Sequence, residues 1–273
     1  GEIQCKSANL AWAGQWLRRN LFRIPTTTPE NIVVTTMDAD THWHKHYFSA
    51  LTYFFITNPQ RHTTFWQAPI RYHNNIWQVN PMVRLINAYS SAFELAYLTA
   101  GWWLALPISS YSMSFTLLET SRYWDSNVIS DEWHMFAKSF FATNAVLSIQ
   151  SIYLPFSAFA TTGETVWTAI KNRYAQTLRH AWGSKEIGYI IKRMTDTPDV
   201  PMYQSVTLLI RVLHDLLLSS AGWIVLSVGS VLPFVLHPSF VESMGEGESH
   251  FSPLLFFQFA AFAVFMLGII FWR

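Results

Sequence analysis

The hydrophobic and polar positions divide the chain into a mixed amino-terminal part and an apolar carboxyl end. Leu216–Leu236 and Pro253–Trp272 contain no charged residue, and each is close to the ~20 residues that a helix needs to cross a bilayer. The pattern predicts two transmembrane helices, and the alternative is a pair of buried helices in a large soluble core. The loop between them carries Glu242, Glu246 and Glu248 but no Lys or Arg, which predicts that the preceding region faces the cytosol.

Before the first apolar run, helical and strand patterns alternate. The predicted helices are Ser7–Arg19 with Ser7 as N-cap, His44–Ile56, Trp133–Asn144 and Glu164–Lys192, the last as one long or two adjoining helices. The predicted strands are Asn31–Met37, Thr63–Ala68 and Ile149–Pro155. This order predicts an α/β domain over residues 1–204, with helices on the faces of a sheet, followed by a membrane region over residues 205–273.

A third apolar stretch, Phe93–Ile108, is short for a membrane span and contains Glu94. Its Trp102 and Trp103 are typical of the level of the lipid headgroups. The stretch is predicted to be a helix that lies at the membrane interface or packs in the core of the domain.

The composition supports a membrane-associated protein. Hydrophobic residues make up 51% of the chain and charged residues only 13%, below the roughly 25% that soluble domains average. The net charge of +1 argues against general nucleic-acid binding. The single Cys5 excludes an internal disulfide and a cysteine-rich zinc site.

Candidate chemistry begins where the β-branched run of residues 33–36 is followed by Asp38 and Asp40. Residues two apart on a strand share a face, so these carboxylates can converge at the carboxyl end of a buried strand. Hard oxygen ligands suit Mg²⁺ or Mn²⁺, and phosphates of a substrate usually complete such a site. The alternative is that the two acids only end the strand and begin a turn.

Two further groups of polar residues follow. Asp131 and Glu132 stand where a helix could begin, so that one of them could act as a general base or both could simply cap the helix. Gln176 and Arg179 share a helical face, and Trp182 follows one turn later. A Trp beside Arg and Gln could stack on a sugar and bind phosphate, or these side chains could be structural.

The order of these groups, followed by membrane spans, resembles the processive family-2 glycosyltransferases of the cellulose-synthase-like type. The resemblance extends over nearly the whole chain. Residues 1–10 look like the Lys-containing segment that the family has before its metal motif, Trp66-Gln67-Ala68-Pro69 looks like its Gln-x-Pro strand end, and Ser109–Ser112 stands where the family has small residues beside the donor sugar.

The resemblance implies a partial GT-A (Rossmann-like) glycosyltransferase domain that transfers a hexose from a nucleotide sugar, with inversion, to a glycan or a lipid-linked acceptor. It also implies roles for individual residues: a divalent ion on Asp38 and Asp40, nucleotide contacts from Lys6 and Asn9, a base in Asp131 or Glu132, and acceptor or diphosphate contacts from Gln176, Arg179 and Trp182.

The chain departs from the family pattern at three points. The acid pair reads Asp131 then Glu132, the reverse of the usual order, so either could be the base. The family's Trp commonly follows the Arg directly, whereas here His180 follows Arg179 and Trp182 comes three positions after it. The first family Asp would lie upstream of Gly1, so this chain alone is expected to be inactive and its parent active. A non-catalytic membrane scaffold or transporter that keeps the α/β domain for packing is the competing hypothesis.

Overall fold

The computed structural model describes residues 5–217, apart from the side chains of Met82, Thr177 and His180. The helices, in chain order, are α1 Lys6–Leu21, α2 Tyr47–Thr57, α3 Pro81–Thr99, α4 Phe115–Thr120, α5 Asp131–Ala142, α6 Val166–His180, α7 Lys185–Asp196 and α8 Met202–Leu217. The strands are β1 Val33–Thr36, β2 Thr64–Gln67, β3 Ile70–Arg71, β4 Tyr111–Ser114, β5 Ser148–Ser151 and β6 Phe156–Ser157. The predicted α/β class is confirmed.

Four strands form a mixed sheet in the order β1-β4-β2-β5. Strand β4 is antiparallel to both β1 and β2, whereas β2 and β5 are parallel. The carboxyl ends of β1, β2 and β5 therefore share one edge of the sheet with the amino end of β4. A second, two-stranded sheet pairs β3 with β6 in parallel.

Successive strand residues point to opposite sides of the sheet, and helices cover both sides. On one face Phe65 of β2 contacts Phe136 of α5, with ring centroids 5.5 Å apart. On the other face Trp66 packs against Phe55 of α2 at 5.7 Å. Phe65 and Phe136 are fully buried, and burial of each ring contributes about 1.5–3 kcal/mol to stability.

The predicted elements differ from the observed ones mainly at their ends. The long pattern over residues 164–192 forms two helices, α6 and α7, separated by a short 3₁₀ turn. Ser7 is not an N-cap, because Cys5 holds that position and Ser7 lies inside α1. The Phe93–Ile108 prediction is wrong in its bounds, since α3 begins at Pro81 and ends at Thr99. Strand β4 was not expected from the sequence.

None of the helices described within residues 5–217 has the length and apolar character that a membrane span requires. The two predicted spans fall on residues 218–273, outside the described residues except for Leu216 and Leu217 at the start of the first, and they stay predictions. The chain divides into two units, Gly1–Leu213 and His214–Arg273. The elements above belong to the first unit, apart from the end of α8.

Helix α1 approaches the segment after α4 so closely that Gly14 has no room for a side chain. A Cβ at Gly14 would lie 2.8 Å from Cδ1 of Tyr123 and 3.3 Å from Cζ3 of Trp124. We expect Gly14→Val to lower the free energy of unfolding by about 1–3 kcal/mol, because overpacking forces α1 away from its neighbours. Thermal unfolding followed by circular dichroism measures the change.

Gly188 supplies the matched control for this substitution. It is exposed on α7, and nothing lies within 4 Å of a Cβ added there. Gly188→Val should therefore raise stability slightly, by about 0.3 kcal/mol, through helix propensity alone. A melting temperature of Gly14→Val at or above that of the wild type would contradict the close packing of α1.

Candidate active site

Three acidic side chains from distant parts of the chain surround the ammonium group of Lys6. Its Nζ lies 2.8 Å from Oδ1 of Asp38, 3.4 Å from Oε1 of Glu132 and 3.6 Å from Oδ2 of Asp131. It also donates a hydrogen bond of 2.8 Å to the carbonyl of Ser109. Asp38 follows β1, the acid pair begins α5 and Ser109 precedes β4, so the fold brings these groups to one edge of the sheet.

The first turn of α1 holds Lys6 in this position. The Ser7 hydroxyl donates to the carbonyl of Val128, and the Cys5 thiol contacts the carbonyls of Ser126 and Val128 at 3.6 and 3.5 Å. The segment 126–128 leads directly into α5. The start of α1 and the start of α5 are therefore fastened together, and Lys6 faces the acid pair.

The charges of this cluster change one another's pKa. Burial alone would lower the pKa of Lys6, but Glu132, Asp131 and Asp38 raise it above its ordinary value. Burial raises the pKa of Asp131 to about 7, with a further contribution from the negative charge of Glu132. Burial also raises the pKa of Glu132, while Lys6 opposes that rise.

The two acids differ in their access to solvent. The side chain of Asp131 is 3% exposed and that of Glu132 is 21% exposed. A hydroxyl group of a bound ligand can therefore reach Glu132 more easily than Asp131. Both acids lie in the first turn of α5, where the positive end of the helix favours a carboxylate.

Asp38 and Asp40 lie in a turn beyond the end of β1, rather than on the strand itself. The backbone N–H of Thr41 donates to the carbonyl of Asp38 at 3.1 Å and closes this turn. The sequence pattern predicted both acids on one face of a strand, and this placement is wrong because both follow the end of β1 at Thr36. Both carboxylates nevertheless raise the pKa of the buried Tyr72 hydroxyl, after the larger effects of its burial and of Glu94, so both lie within Coulombic reach of that group.

Ser109 and Ser110 hold the first carboxylate of this turn. The Ser109 hydroxyl donates to Oδ2 of Asp38 at 2.7 Å, and the Asp38 N–H donates to Oγ of Ser110 at 3.3 Å. Ser109 has φ of 57°, a left-handed conformation that costs a residue with a side chain roughly 1–2 kcal/mol. That conformation points its carbonyl at Lys6 while its hydroxyl meets Asp38, and such local strain is typical of functional sites.

Gln67 fixes this loop to the sheet edge. Its amide accepts a hydrogen bond from the N–H of Ile108 at 3.1 Å and donates one to the carbonyl of the same residue at 3.2 Å. Gln67 ends β2, in the segment that resembles the family's Gln-x-Pro strand end. Its amide thereby holds the residues that lead into Ser109.

Asp40 is held on its other side by the β6 region. Its Oδ2 accepts from the N–H of Phe159 at 3.1 Å, and Asn74 donates to its carbonyl at 3.3 Å. Two residues after Phe159, Thr161 lines a cavity of about 240 Å³. The Cα atoms of Phe159 and Thr161 therefore lie at most about 7 Å apart.

Gln176 contacts a neighbour that the sequence analysis missed. Its Oε1 accepts from Arg173 Nη1 at 2.8 Å and from the Thr161 hydroxyl at 2.7 Å. Arg173 stands one turn before Gln176, so the same helical spacing that suggested Arg179 could have suggested it. The positive charge of Arg173 also opposes the rise in the pKa of Tyr72 that burial causes.

Arg179 and Trp182 are less closely engaged. Arg179 is exposed, and Trp182 is 44% exposed, with Lys185 Nζ 4.1 Å from its ring centroid. Asn9 is also exposed, one turn after Lys6. Within residues 5–217, no hydrogen bond or ion pair joins Asn9, Arg179 or Trp182 to the acids around Lys6.

The donor set suits a hard divalent ion of the kind that phosphates complete. No group of three or more His, Cys, Asp or Glu forms a metal site within the described part of the chain. Mg²⁺ in phosphate-binding enzymes is usually held by one or two carboxylates together with substrate phosphates and water. Asp38 and Asp40 are partly exposed and are the carboxylates that could hold such an ion, although Oδ1 of Asp38 pairs with Lys6 and Oδ2 of Asp40 accepts from the N–H of Phe159.

A comparison of the sequence with protein-family models and with curated proteins finds no match in either set.

Proposed function

We propose that this chain belongs to a membrane-bound, inverting hexosyltransferase of the cellulose-synthase-like family-2 type, with a GT-A catalytic domain in the cytosol. The donor is a nucleotide sugar, the acceptor is a polysaccharide or another glycan or lipid-linked molecule at the membrane, and the ion is Mg²⁺ or Mn²⁺. One observation carries the proposal: Asp38, Asp131 and Glu132 gather around Lys6 at the carboxyl edge of the sheet. Open α/β sheets keep their ligands at this edge.

Asp38 and Asp40 are proposed to have a different role from the acid pair of α5. Asp38 and Asp40 would hold the divalent ion, which supplies positive charge against the leaving diphosphate when it is bound. Lys6 and the exposed Asn9 face the same region and are the proposed contacts of the nucleotide. The Lys6 ammonium adds a second, permanent positive charge beside the position of the diphosphate.

Glu132 is the proposed general base. It accepts the proton of an acceptor hydroxyl while the hydroxyl oxygen bonds to the anomeric carbon and the bond from that carbon to the diphosphate breaks. Attack from the opposite face inverts the anomeric centre. Burial raises the pKa of Glu132 above its ordinary value, which brings this carboxylate closer to the pKa that a base needs near neutral pH.

The acceptor side of the site is proposed to include Gln176, Arg179 and Trp182. Support for Gln176 comes from its contacts with Arg173 and with Thr161, the latter at the cavity near Asp40. The polar lining of this cavity includes Gln78, Asn80 and Thr162, groups that can bind sugar hydroxyls.

The proposal is tested by assaying the full-length protein in membranes with UDP-glucose, UDP-N-acetylglucosamine and GDP-mannose, each with Mg²⁺ or Mn²⁺. We expect release of the nucleoside diphosphate from at least one donor, together with a labelled glycan or glycolipid, and loss of both products with EDTA. Failure of every donor to react, with the protein present at normal abundance, would favour the scaffold or transporter hypothesis.

A further inference from the structure

His134 lies between two carboxylates on other segments of the chain. Its Nδ1 is 2.9 Å from Oε2 of Glu186, and its Nε2 is 2.8 Å from Oδ2 of Asp125. A neutral imidazole has a proton on only one nitrogen, so it can donate only one of these bonds to an ionised carboxylate. Both bonds form with two carboxylates when the ring is a doubly protonated imidazolium, and the side chain is only 10% exposed.

The charged groups around the His134 ring come from α5, from the segment before it and from α7. Asp125 precedes α5 and also pairs with Lys138 of α5. From α7, Glu186 is 2% exposed, and the Tyr189 ring centroid lies 4.6 Å from that of His134. Farther along α7, Arg193 stacks on Phe141, while Asp131 lines the same small space as His134.

Two cations, the His134 imidazolium and Lys138, pair with two anions, Asp125 and Glu186. Burial by itself would lower the pKa of His134, but the bonds to Asp125 and Glu186 raise it to about 9. The bond from His134 in turn holds the pKa of Asp125 at about 2. His134 is therefore a protonated imidazolium around neutral pH, and it loses its positive charge as the pH rises through about 9.

His134 connects two places that matter for the proposed reaction. It is the fourth residue of α5, whose first two residues are Asp131 and Glu132. Glu186 is the second residue of α7, four positions after Trp182. The ring therefore ties the turn that carries the acids to the helix that follows the Trp182 segment.

We propose that His134 is a positioning residue, whose bonds to Asp125 and Glu186 fix the acid pair of α5 relative to the segment that carries Trp182. This inference rests on the proposed function, because it takes the acid pair as the base of a glycosyltransferase. Loss of the cation leaves the buried Glu186 uncompensated, so α7 would move away from α5. Lys6 and Asp38 are held to the start of α5 by their own contacts and not by α7, so the donor site would change less.

The experiment compares His134→Gln with His73→Gln in the full-length protein, since His73 is exposed outside this network. We expect His134→Gln to lower kcat at least 10-fold with the KM for the donor changed less than threefold. The wild-type kcat should fall as the pH rises through about 9, and this alkaline decline should be absent in His134→Gln. His73→Gln should behave as the wild type in both respects.

A second measurement does not depend on activity. In protein with ¹⁵N-labelled histidine, the resonances that disappear in His134→Gln should show both ring nitrogens protonated at pH 7.5 and titrate with a midpoint well above pH 8. If His134→Gln is not recovered, His134→Gln/Glu186→Gln removes the uncompensated charge and allows the same spectra and kinetics to be recorded.

The outcomes separate the two claims. A neutral His134 ring at pH 7.5 would overturn the inference, as would unchanged kcat in His134→Gln or an alkaline decline that persists in it. A wild-type protein that transfers no sugar would defeat the proposed function and, with it, the assigned role of the acids. The ring spectra would then still decide whether the cross-link between α5 and α7 is ionic.

Discussion

Replacement of Glu132 by Gln is expected to lower kcat for sugar transfer by about 10²–10⁴-fold, the range that general-base catalysis usually contributes. Gln keeps the size of Glu132 and a hydrogen-bonding oxygen for Lys6, but it cannot accept the acceptor's proton. The KM for the donor should change less than about threefold, because Asp38 and Lys6 still face the nucleotide. Initial rates at saturating donor, with protein abundance measured in the same membranes, give the comparison.

Two further variants make this result specific. Asp131→Asn should cost less in kcat than Glu132→Gln, since the Asp131 side chain is 3% exposed and lies behind Glu132. Glu30→Gln, at an exposed position in the turn before β1, should leave the rate unchanged. A greater loss in Asp131→Asn would transfer the role of base to Asp131, and activity in both variants would exclude the pair from the chemistry.

Asp38→Asn is expected to have the second largest effect. We expect the Mn²⁺ concentration for half-maximal activity to rise at least about 100-fold, because the variant removes a charged ligand and not merely a residue that orients one. Asn can still accept from Ser109, which limits disturbance of the loop. Titration of activity with Mn²⁺ at fixed donor concentration, in full-length protein, measures the shift.

The matched variants for Asp38 follow from the same geometry. Asp40→Asn should show a similar loss if both carboxylates hold the ion, with expression preserved. Asp199→Asn changes an exposed carboxylate in the segment between α7 and α8 and should have no effect. Synthesis that persists in Asp40→Asn with an unaltered Mn²⁺ requirement would show that Asp40 does not hold the ion.

Much of the secondary structure could be predicted because it is decided by neighbouring residues. The periodicity over Ser7–Arg19 and His44–Ile56 gave helices that the structure contains as α1 and α2. The β-branched run before Asp38 gave β1, although the strand ends at Thr36 and the acids lie in the following turn. Strand β4 was missed because Tyr111–Ser114 is only four residues long, too short for its alternation of apolar residues with serines to stand out from a loop.

Strand β4 forms where it does because it lies between two others. Its backbone bonds with β1 on one side and β2 on the other, and Tyr111 and Met113 are buried. Its Ser112 hydroxyl instead meets Thr35 and Tyr47, at 2.8 and 3.0 Å. Ser112 is therefore satisfied by partners far away in the chain, whereas Ser114 accepts from the nearby N–H of Leu117 at 3.0 Å and caps α4.

Some features of the candidate site could likewise be predicted from the sequence, and others depend on the tertiary structure. The sequence by itself identified Asp38, Asp40 and the acid pair of α5, because each stands at a recognisable end of a strand or start of a helix. Only the tertiary structure gathered Asp38 and the acid pair around Lys6, joined Gln176 to Thr161 and set His134 between Asp125 and Glu186. The physical reason is that periodicity and end signals act over a few residues, whereas charge pairing and burial act between surfaces that meet only when the chain has folded.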